Sequence, residues 1–495
     1  MHAIANPPPP SSSSSEATNE ILAELIASLF RSRPSLNSID RAERSVPYPS
    51  RGKLGFDVSQ LPVEIICEIF ERFMEDDSVH PVFDDTPRPL VSYTCRSDPT
   101  KLGQICSRWR AVAISLPKMW SNILIYNPKP SQVYLTEVWL KRSGNKPLSL
   151  EIDYNYDTGY DLRSAAQILR SFMAHLGRWK KFQLNMSTKL LKLLSAIPHS
   201  PHKPLILESV NLYFHDIFHS NHPEVRINEA DAIWKYFYGC PTLRRVFWHN
   251  QVNRFPKHAP SQLTHIQAHF SVSIDDILSF LPQIPLIEEL QFGELRLPTK
   301  NPPTTASDLL AEHLRVLKIR SYNVAASSLL ERLTCPSLDC LEIIHCNDIS
   351  RPEANQDLQE LPRFLRRSGC HLLKLKLCDP AINITDDALT RCLSDSPLRS
   401  LKSLYIDMDH ISEQTVEFLS SKSAAEEHEF APCLEDLSLF LWEIGDGLLA
   451  RMVSSRWHEA LDDNHSTPLG HLRKAGIFPK NHFGPIDEAF FSLLR

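Results

Sequence analysis

Glycine is scarce in this chain, with 14 residues among 495. Glycine lets a backbone wrap closely around phosphate groups, so its low supply disfavours a glycine-rich nucleotide-binding loop. Long apolar runs are missing as well, because the longest near-candidate, Leu437 to Ile444, is interrupted by Glu443. A membrane-spanning helix needs about 20 apolar residues, so the sequence predicts no membrane segment.

An excess of positive charge is also absent, since the formal net charge is -6. Nucleic-acid binding usually requires a clearly basic domain or stripe, so we expect no nucleic-acid partner. The 11 cysteines are scattered without CxxC pairs, and the N-terminus lacks the basic start and apolar middle of a secretory signal. These features predict reduced thiols in a protein of the cytoplasm, the nucleus or both.

Catalytic motifs are missing too: the sequence contains no G-x-S-x-G elbow, H-E-x-x-H pair or P-loop. Gly445 to Ala450 matches a dinucleotide-binding G-x-G-x-x-A, but too little chain follows it for a complete βαβ site. His215, His219 and His222 share a metal-like spacing inside a segment with loop residues, and the cysteines of 335–346 fit no zinc module. We therefore predict no enzyme, with no catalytic, cofactor-binding or metal-binding residues.

The N-terminal segment divides into two parts. Residues 1–15 are a Pro/Ser tract, which predicts a disordered tail because it has little apolar surface to bury. Residues 16–58 are predicted to form an N-terminal amphipathic helix and a linker. The helix is expected over Glu16 to Arg31, where apolar residues recur at intervals of three and four, and Pro34 ends it.

Two further helical patterns follow. The first opens at Leu61-Pro62, because proline is tolerated in a first helical turn. Its apolar stripe is predicted to contain Leu61, Ile65, Ile66, Ile69, Phe70 and Phe73. The second is predicted as a single helix ending before Pro117, followed by Trp120, with Leu102, Ile105, Cys106, Trp109, Ala113 and Leu116 on its apolar side. The acidic, proline-containing stretch around 75–100 between them is interpreted as a loop or insertion.

Beyond residue 140 the chain repeats a pattern of three apolar positions, in which the second and third follow the first by three and five residues. This spacing is typical of the strand of a leucine-rich repeat. Its ten occurrences begin at Trp179, Leu207, Leu243, Leu263, Ile287, Leu314, Leu338, Leu372, Leu401 and Leu434. Between strands, Ser273, Thr385 and Ser412 precede acidic residues and are predicted to cap short helices. Such units stack into one elongated core and one long strand-lined surface.

The helical patterns, from Leu61-Pro62 to Trp120, resemble the F-box. The whole chain looks like the F-box proteins expanded in mushroom-forming fungi, which join this module to degenerate leucine-rich repeats. The resemblance implies an α/β fold class: a short helical F-box module over 59–126, with the insertion around 75–100, and then an irregular leucine-rich-repeat-like solenoid over 127–495. Parallel strands are expected on its concave side and helices on its convex side.

The resemblance also implies a function. It makes the chain the substrate-recognition subunit of a cullin-RING (SCF-type) ubiquitin ligase. Its partners would be a Skp-family adaptor, through it a cullin, and an unknown target protein bound by the repeats. The alternative is a leucine-rich-repeat interaction scaffold acting outside ubiquitination. The residues implied to bind the adaptor are Leu61, Pro62, Ile65, Ile69, Ile105, Cys106, Trp109 and Trp120.

Overall fold

The computed structural model describes residues 61–75, 99–153, 161–197, 203–214, 223–249, 260–297, 309–321, 325–345, 360–379, 385–394, 396–408, 412–420, 431–441, 444–456, 472–479 and 483–493. The predicted tail, the N-terminal helix and linker, and most of the 75–100 insertion lie outside these residues. The chain divides into two compact units: Met1–Ser121 with Leu140–Gly144, and Asn122–Trp139 with Asn145–Arg495.

The first unit is helical in its described part. It contains α1 Val63–Glu75, α2 Pro99–Leu102, α3 Ser107–Ser115 and a 3-10 turn over Pro117–Trp120. The carbonyl of Pro62 accepts the first helical bond of α1, from the N–H of Ile66 at 3.2 Å, so the proline opens the helix as predicted.

The prediction of one continuous second helix was wrong. The backbone leaves helical geometry after Leu102 and re-enters it at Ser107. Cys106 is extended, and its Sγ accepts the N–H of Trp109 at 3.4 Å, which caps α3. A residue that caps a helix must itself be non-helical, so Cys106 separates two helices instead of lying inside one.

The second unit is built on one large parallel sheet. The sheet has thirteen strands in the described part of the chain, and they are hydrogen-bonded in chain order. They are β1 Asn122–Tyr126, β2 Leu148–Asp153, β3 Trp179–Met186, β4 Ser209–Phe214, β5 Arg245–Trp248, β6 His265–Ser273, β7 Glu289–Arg296, β9 Val316–Ser321, β11 Cys340–His345, β12 Lys374–Asp379, β13 Ser403–Met408, β14 Asp436–Leu441 and β15 Lys474–Pro479. A separate parallel pair joins β8 Leu309–Leu310 to β10 Leu333–Thr334.

The repeat pattern places the strands correctly. Each of the ten predicted triads falls at a strand of the sheet, and equivalent positions pair across it: Leu375 lies opposite Leu404, and Leu404 opposite Leu437. Side chains at these positions are buried, and the residues between them face the other side of the sheet. The prediction of an α/β fold with successive parallel strands is confirmed.

Helices occupy most of the connections between strands. They are α4 Pro130–Arg142, α5 Leu162–Met173, α6 Leu191–Leu194, α7 Pro223–Tyr238, α8 Ile274–Phe280, α9 Ala325–Leu330, α10 Glu360–Ser368, α11 Asp386–Leu393, α12 Glu413–Leu419 and α13 Leu448–Arg456. A further helix, α14 Pro485–Leu493, follows β15. Ser273, Thr385 and Ser412 cap α8, α11 and α12 through their hydroxyl oxygens, at 3.2, 3.3 and 3.2 Å. The three predicted caps are confirmed.

Carboxylates connect the last helices of the array through their first turns. In each connection an acid at the start of one unit accepts a backbone N–H at the start of the next. Asp386 accepts from Ser412 at 3.1 Å, Glu413 from Gly445 at 2.9 Å, and Asp446 from Ile486 at 2.9 Å. In the reverse direction, Asp487 accepts the N–H of Ala450 at 2.7 Å. The N–H groups of Ile486 and Ala450 lie in first helical turns and have no partner within their own helix, whereas Ser412 and Gly445 precede their helices.

The pairing of β6 with β7 contains an irregularity. The register shifts between Ala268 and Ser271 of β6. In the pairing of β7 with β9, the register shifts between Phe292 and Leu295 of β7. Gly293 lies at this point, where a Cβ would stand 2.8 Å from the Cα of His269. Glycine allows the two backbones to approach this closely.

Candidate functional site

The helical unit has its own aromatic core. Ile66, Ile69 and Phe70 of α1 are buried, and the ring of Phe70 meets that of Trp109 edge to face with centroids 5.0 Å apart. Trp120 is buried as well, and its indole N–H donates to the carbonyl of Ala113 at 2.7 Å. Apolar contacts and one buried hydrogen bond thus hold α1, α3 and the following turn together.

Charged groups complete this unit at its surface. Lys118 pairs with Glu71 at 2.8 Å, which links the 3-10 turn to α1. The guanidinium of Arg142 lies 4.4 Å from the ring centroid of Trp120, within cation–π distance. Both contacts are partly exposed, so we assign them small contributions to stability.

The eight residues predicted to bind an adaptor divide into two groups. Leu61, Ile69, Trp109 and Trp120 are buried, and Cys106 is half-buried in its capping position. Pro62, Ile65 and Ile105 are exposed. The structure brings the first group together as a core and leaves the second at the surface.

Four branched apolar side chains of the helical unit face solvent. They are Val63, Ile65, Ile105 and Ile114, at 45, 37, 46 and 44% exposure. Sequence reasoning missed Val63 and Ile114, because neither falls on the predicted apolar stripes. The sequence does contain a signal for their exposure, because a branched apolar residue outside the apolar stripe of an amphipathic helix is expected at the surface. Each of these exposed apolar groups is a candidate contact for another protein.

The outward face of the sheet is the second candidate surface. On β3 to β7, one row across the sheet contains Gln183, Asn211, Phe247, Gln267 and Gln291 in register. Asn185 lies two residues beyond Gln183 on β3, on the same face. We call the five amide side chains of this set the amide strip: Gln183, Asn185, Asn211, Gln267 and Gln291.

Acidic side chains border the amide strip on β2. The amide nitrogen of Gln183 donates to Glu151 at 3.0 Å, and that of Asn185 donates to Asp153 at 2.7 Å. At the other end, Gln267 donates to Glu289 at 3.5 Å. These bonds fix the amide nitrogens toward the acids.

An aromatic and imidazole layer lies beside the strip. The rings of His249 and His269 are stacked, with centroids 4.7 Å apart and planes 10° apart, and Tyr213 contacts His249 at 5.0 Å. Burial lowers the pKa of His249 to about 3, with a contribution from His269, and lowers the pKa of His269 to about 4. Both imidazoles are therefore neutral at physiological pH.

This pair predicts loss of stability in acid. The folded pKa values lie below the ordinary value near 6.5, so the unfolded chain binds more protons as the pH falls from about 6.5 toward 4. Each histidine then removes up to about 1.4 kcal/mol of unfolding free energy per pH unit. We expect His249→Phe, which keeps an aromatic ring beside His269, to reduce this acid sensitivity in denaturant unfolding measured at pH 7 and pH 5. The control His313→Phe, at an exposed position, should leave the acid sensitivity unchanged. If the unfolding free energy fell equally between pH 7 and pH 5 in the two variants, the assignment to His249 would be contradicted.

A different surface occupies the last strands. The ammonium of Lys376 lies 4.6 Å from the ring centroid of Tyr405, which contacts Phe440 at 5.4 Å. Phe440 stacks on Phe478 of β15 at 4.6 Å, and Phe478 is 50% exposed. This end of the outward face is mainly aromatic, whereas β2 to β7 present amides and acids beside aromatic and imidazole rings.

The cysteines of the described residues are free thiols, most of them buried. Burial raises the pKa of Cys335 and of Cys378 to about 12, and that of Cys240 to about 11. Such thiols are protonated at neutral pH and are poor nucleophiles. Among the described side chains, no group of three histidine, cysteine or acidic residues is placed to hold a metal ion. His215, His219 and His222 lie outside the described residues.

Comparisons with known proteins give no family for this chain. No protein-family model matches it, and no curated protein matches it. No helix within the described ranges is long and apolar enough to cross a membrane.

Proposed function

We propose that this chain is the substrate-recognition subunit of a cullin-RING (SCF-type) ubiquitin ligase. In this role the helical unit is an F-box that binds a Skp-family adaptor. The sheet unit is a leucine-rich-repeat array that binds a target protein. The observation that carries the proposal is that the described part of the helical unit has an aromatic core and still exposes Val63, Ile65, Ile105 and Ile114. Apolar side chains that a unit does not bury itself are available to a partner.

The sheet unit supports the second half of the proposal. Successive parallel strands with in-register leucine positions are what stacked leucine-rich repeats require. Their outward side chains offer a continuous polar and aromatic surface, which suits a large partner. The proposed action is proximity: one unit holds the ligase, the other holds the target, and the effective concentration of target lysines near the ubiquitin thioester rises. This role requires no side chain to make or break a bond, and the proposed location is the cytoplasm or nucleus.

Adaptor binding is tested with exposed residues, because changing a buried residue such as Leu61 would disturb folding as well. We expect Ile65→Glu combined with Ile105→Glu to reduce co-purification of a Skp-family adaptor with the full chain by at least tenfold. An exposed apolar anchor contributes about 1 to 2 kcal/mol to an interface, and about 1.4 kcal/mol is a factor of ten. Circular dichroism should be unchanged.

The matched control is Val225→Glu, which places the same charge at a 54% exposed apolar position on α7. It should leave adaptor binding intact. Undiminished co-purification of the double variant would refute the assignment of this surface. Adaptor binding without cullin in the same complex would instead favour an interaction scaffold acting outside ubiquitination.

A further inference from the structure

The outward face of the sheet gathers positive charge over β9 to β12. One row across these strands contains Lys318, Glu342 and Lys376, so two lysines flank one acid. Glu342 is 9% exposed and accepts a hydrogen bond from the ammonium of Lys374 at 3.1 Å, so this acid is largely covered. We call the four cations of these outward positions the cationic cluster: Lys318, Arg320, Lys374 and Lys376. All four are half-buried or exposed, so a partner can reach them.

Cations outnumber acids around the cationic cluster. The outward positions of β9 to β15 contain the four cations of the cluster and Lys474, against the acids Glu342, Asp407 and Asp436. Glu289 of β7 borders the cluster, 4.0 Å from Lys318, and the excess stays positive when this acid is counted. The excess is local, because the whole chain has a formal net charge of -6.

An aromatic ladder adjoins the cationic cluster. It consists of Tyr405, Phe440 and Phe478, one ring from each of β13, β14 and β15, with successive centroids 5.4 and 4.6 Å apart. The ammonium of Lys376 lies 4.6 Å from the ring centroid of Tyr405, so the cluster and the ladder are continuous. Phe478 is 50% exposed, and the other two rings are half-buried. The ladder is therefore an accessible apolar surface at the end of a positive one.

We propose that the cationic cluster and the aromatic ladder bind an extended acidic segment of the target protein that carries an aromatic residue at one end. Carboxylates accept charge-assisted hydrogen bonds from lysine and arginine, and aromatic side chains are common anchors of protein interfaces. The cluster would repel a basic segment. The inference rests on the proposed function, because it names the chemistry of the target that the sheet unit recruits.

The width of this site sets the length of the segment. From β9 to β15 the site crosses six neighbouring strands. Neighbouring strands are about 4.8 Å apart, so the site spans about 24 Å, which about seven residues of extended chain cover. The acids of the segment therefore lie a few residues from its aromatic end.

Peptide binding to the purified full chain tests the inference. The probe is a fluorescein-labelled peptide of about seven residues, with glutamates at one end, phenylalanines at the other and a glycine–serine spacer. Both orders of the ends are measured. We expect the tighter order to bind at least about tenfold more strongly in fluorescence anisotropy than the same peptide with glutamine in place of glutamate, and to weaken as salt is raised. Equal affinities, or no binding in either order, would overturn the inference.

Single-stranded nucleic acid is the competing ligand, because it also pairs phosphates with cations and bases with aromatic rings. The acids Glu342, Asp407 and Asp436 stand among the cations and disfavour a continuous row of phosphates. An oligothymidine of similar length is therefore measured in the same assay. If it bound more tightly than the acidic peptide, the inference would be wrong.

The cationic cluster is tested with Lys318→Gln combined with Lys376→Gln. We expect the affinity for the acidic peptide to fall at least about tenfold and its dependence on salt to weaken, because two positive charges are lost. The control, Lys181→Gln combined with Lys189→Gln, removes two charges at exposed positions on β3 and in the turn after it, and should leave the affinity unchanged. Equal losses in the two double variants would contradict the site.

Glu342→Gln gives an opposite readout that misfolding cannot produce. It keeps the side-chain shape and removes the acid between the two lysines, so the acidic peptide should bind about threefold more tightly. Unchanged or weaker binding would contradict the placement of the peptide's acids over the cationic cluster.

Phe478→Ala tests the aromatic ladder. It should weaken binding of the probe about tenfold and leave unchanged the binding of a peptide with glycine in place of phenylalanine. Tyr134→Ala, at a 73% exposed position on α4, is the control. If Phe478→Ala weakened both peptides equally, the ladder would not hold the aromatic end.

This inference and the proposed function fail separately. Adaptor co-purification reads the helical unit, and peptide binding reads the sheet unit. A chain that co-purifies the adaptor but binds no acidic peptide would refute this inference and leave the proposed function standing. A chain that binds the peptide without the adaptor would do the reverse.

Discussion

Gly293→Ala is expected to destabilise the sheet unit by about 3 kcal/mol, near the upper end of overpacking effects. The added Cβ would lie 2.8 Å from the Cα of His269, 3.0 Å from its carbonyl carbon and 3.1 Å from the carbonyl oxygen of Ala268. All three are backbone atoms of the neighbouring strand, so no side-chain rotation relieves the overlap. Strands β6 and β7 must separate at the point where their register shifts.

Denaturant unfolding of the full chain, followed by circular dichroism, measures this effect as a lower midpoint. The control is Gly177→Ala, where the nearest atom to a new Cβ is the carbonyl oxygen of Lys203, at the ordinary distance of 3.8 Å. That variant should unfold close to the original midpoint. If Gly293→Ala unfolded at the same midpoint as well, the close approach of the two strands would be wrong.

Trp109→Ala is expected to destabilise the helical unit by about 4 kcal/mol, as large-to-small changes of buried aromatics do. Trp109 is 1% exposed and packs against Phe70, so its loss leaves a cavity between α1 and α3. Hydrogen exchange of the amides of α1 and α3, followed by mass spectrometry, should accelerate by about a thousandfold where exchange requires opening of the unit.

Two further variants test whether the lost packing of Trp109 causes the faster hydrogen exchange. Tyr134→Ala, at a 73% exposed position, should leave exchange in α1 and α3 unchanged. Trp109→Phe should cost less than Trp109→Ala, because the indole N–H of Trp109 has no acceptor among the described residues and only volume is lost. Unchanged exchange in Trp109→Ala would contradict the central packing role of this ring.

The strand positions were predictable because a solenoid repeats one local pattern. Ten strands of the large sheet follow from apolar spacing alone, whereas β1, β2 and β15 of that sheet and the separate pair β8 and β10 were missed. The patterns of β2 and β15 are weaker, because Pro147 occupies the first apolar position of β2, and Ala475 the second of β15. In β1 the pattern is complete, as Trp120-Ile123-Ile125, but it precedes residue 140, beyond which the repeat was recognised.

The candidate sites were less predictable, for a physical reason. An apolar stripe indicates that side chains will be covered, but it does not distinguish a covering partner from the chain's own core. Ile69 and Trp109 are covered internally, and Ile65 is not. The amide strip required the register of distant strands, because Asn211 and Gln267 join one row, on either side of Phe247, only after the sheet forms.

The carboxylate bonds between successive helix starts make the end of the array depend on its neighbours. Removing α14 would remove the N–H of Ile486 that donates to Asp446. It would also remove Asp487, the acceptor for the N–H of Ala450 in α13. The start of α13 would then loosen, and with it the Gly445 amide that Glu413 of α12 holds. Loosening of α14 is therefore expected to spread to α13 and α12, so that these three units unfold cooperatively.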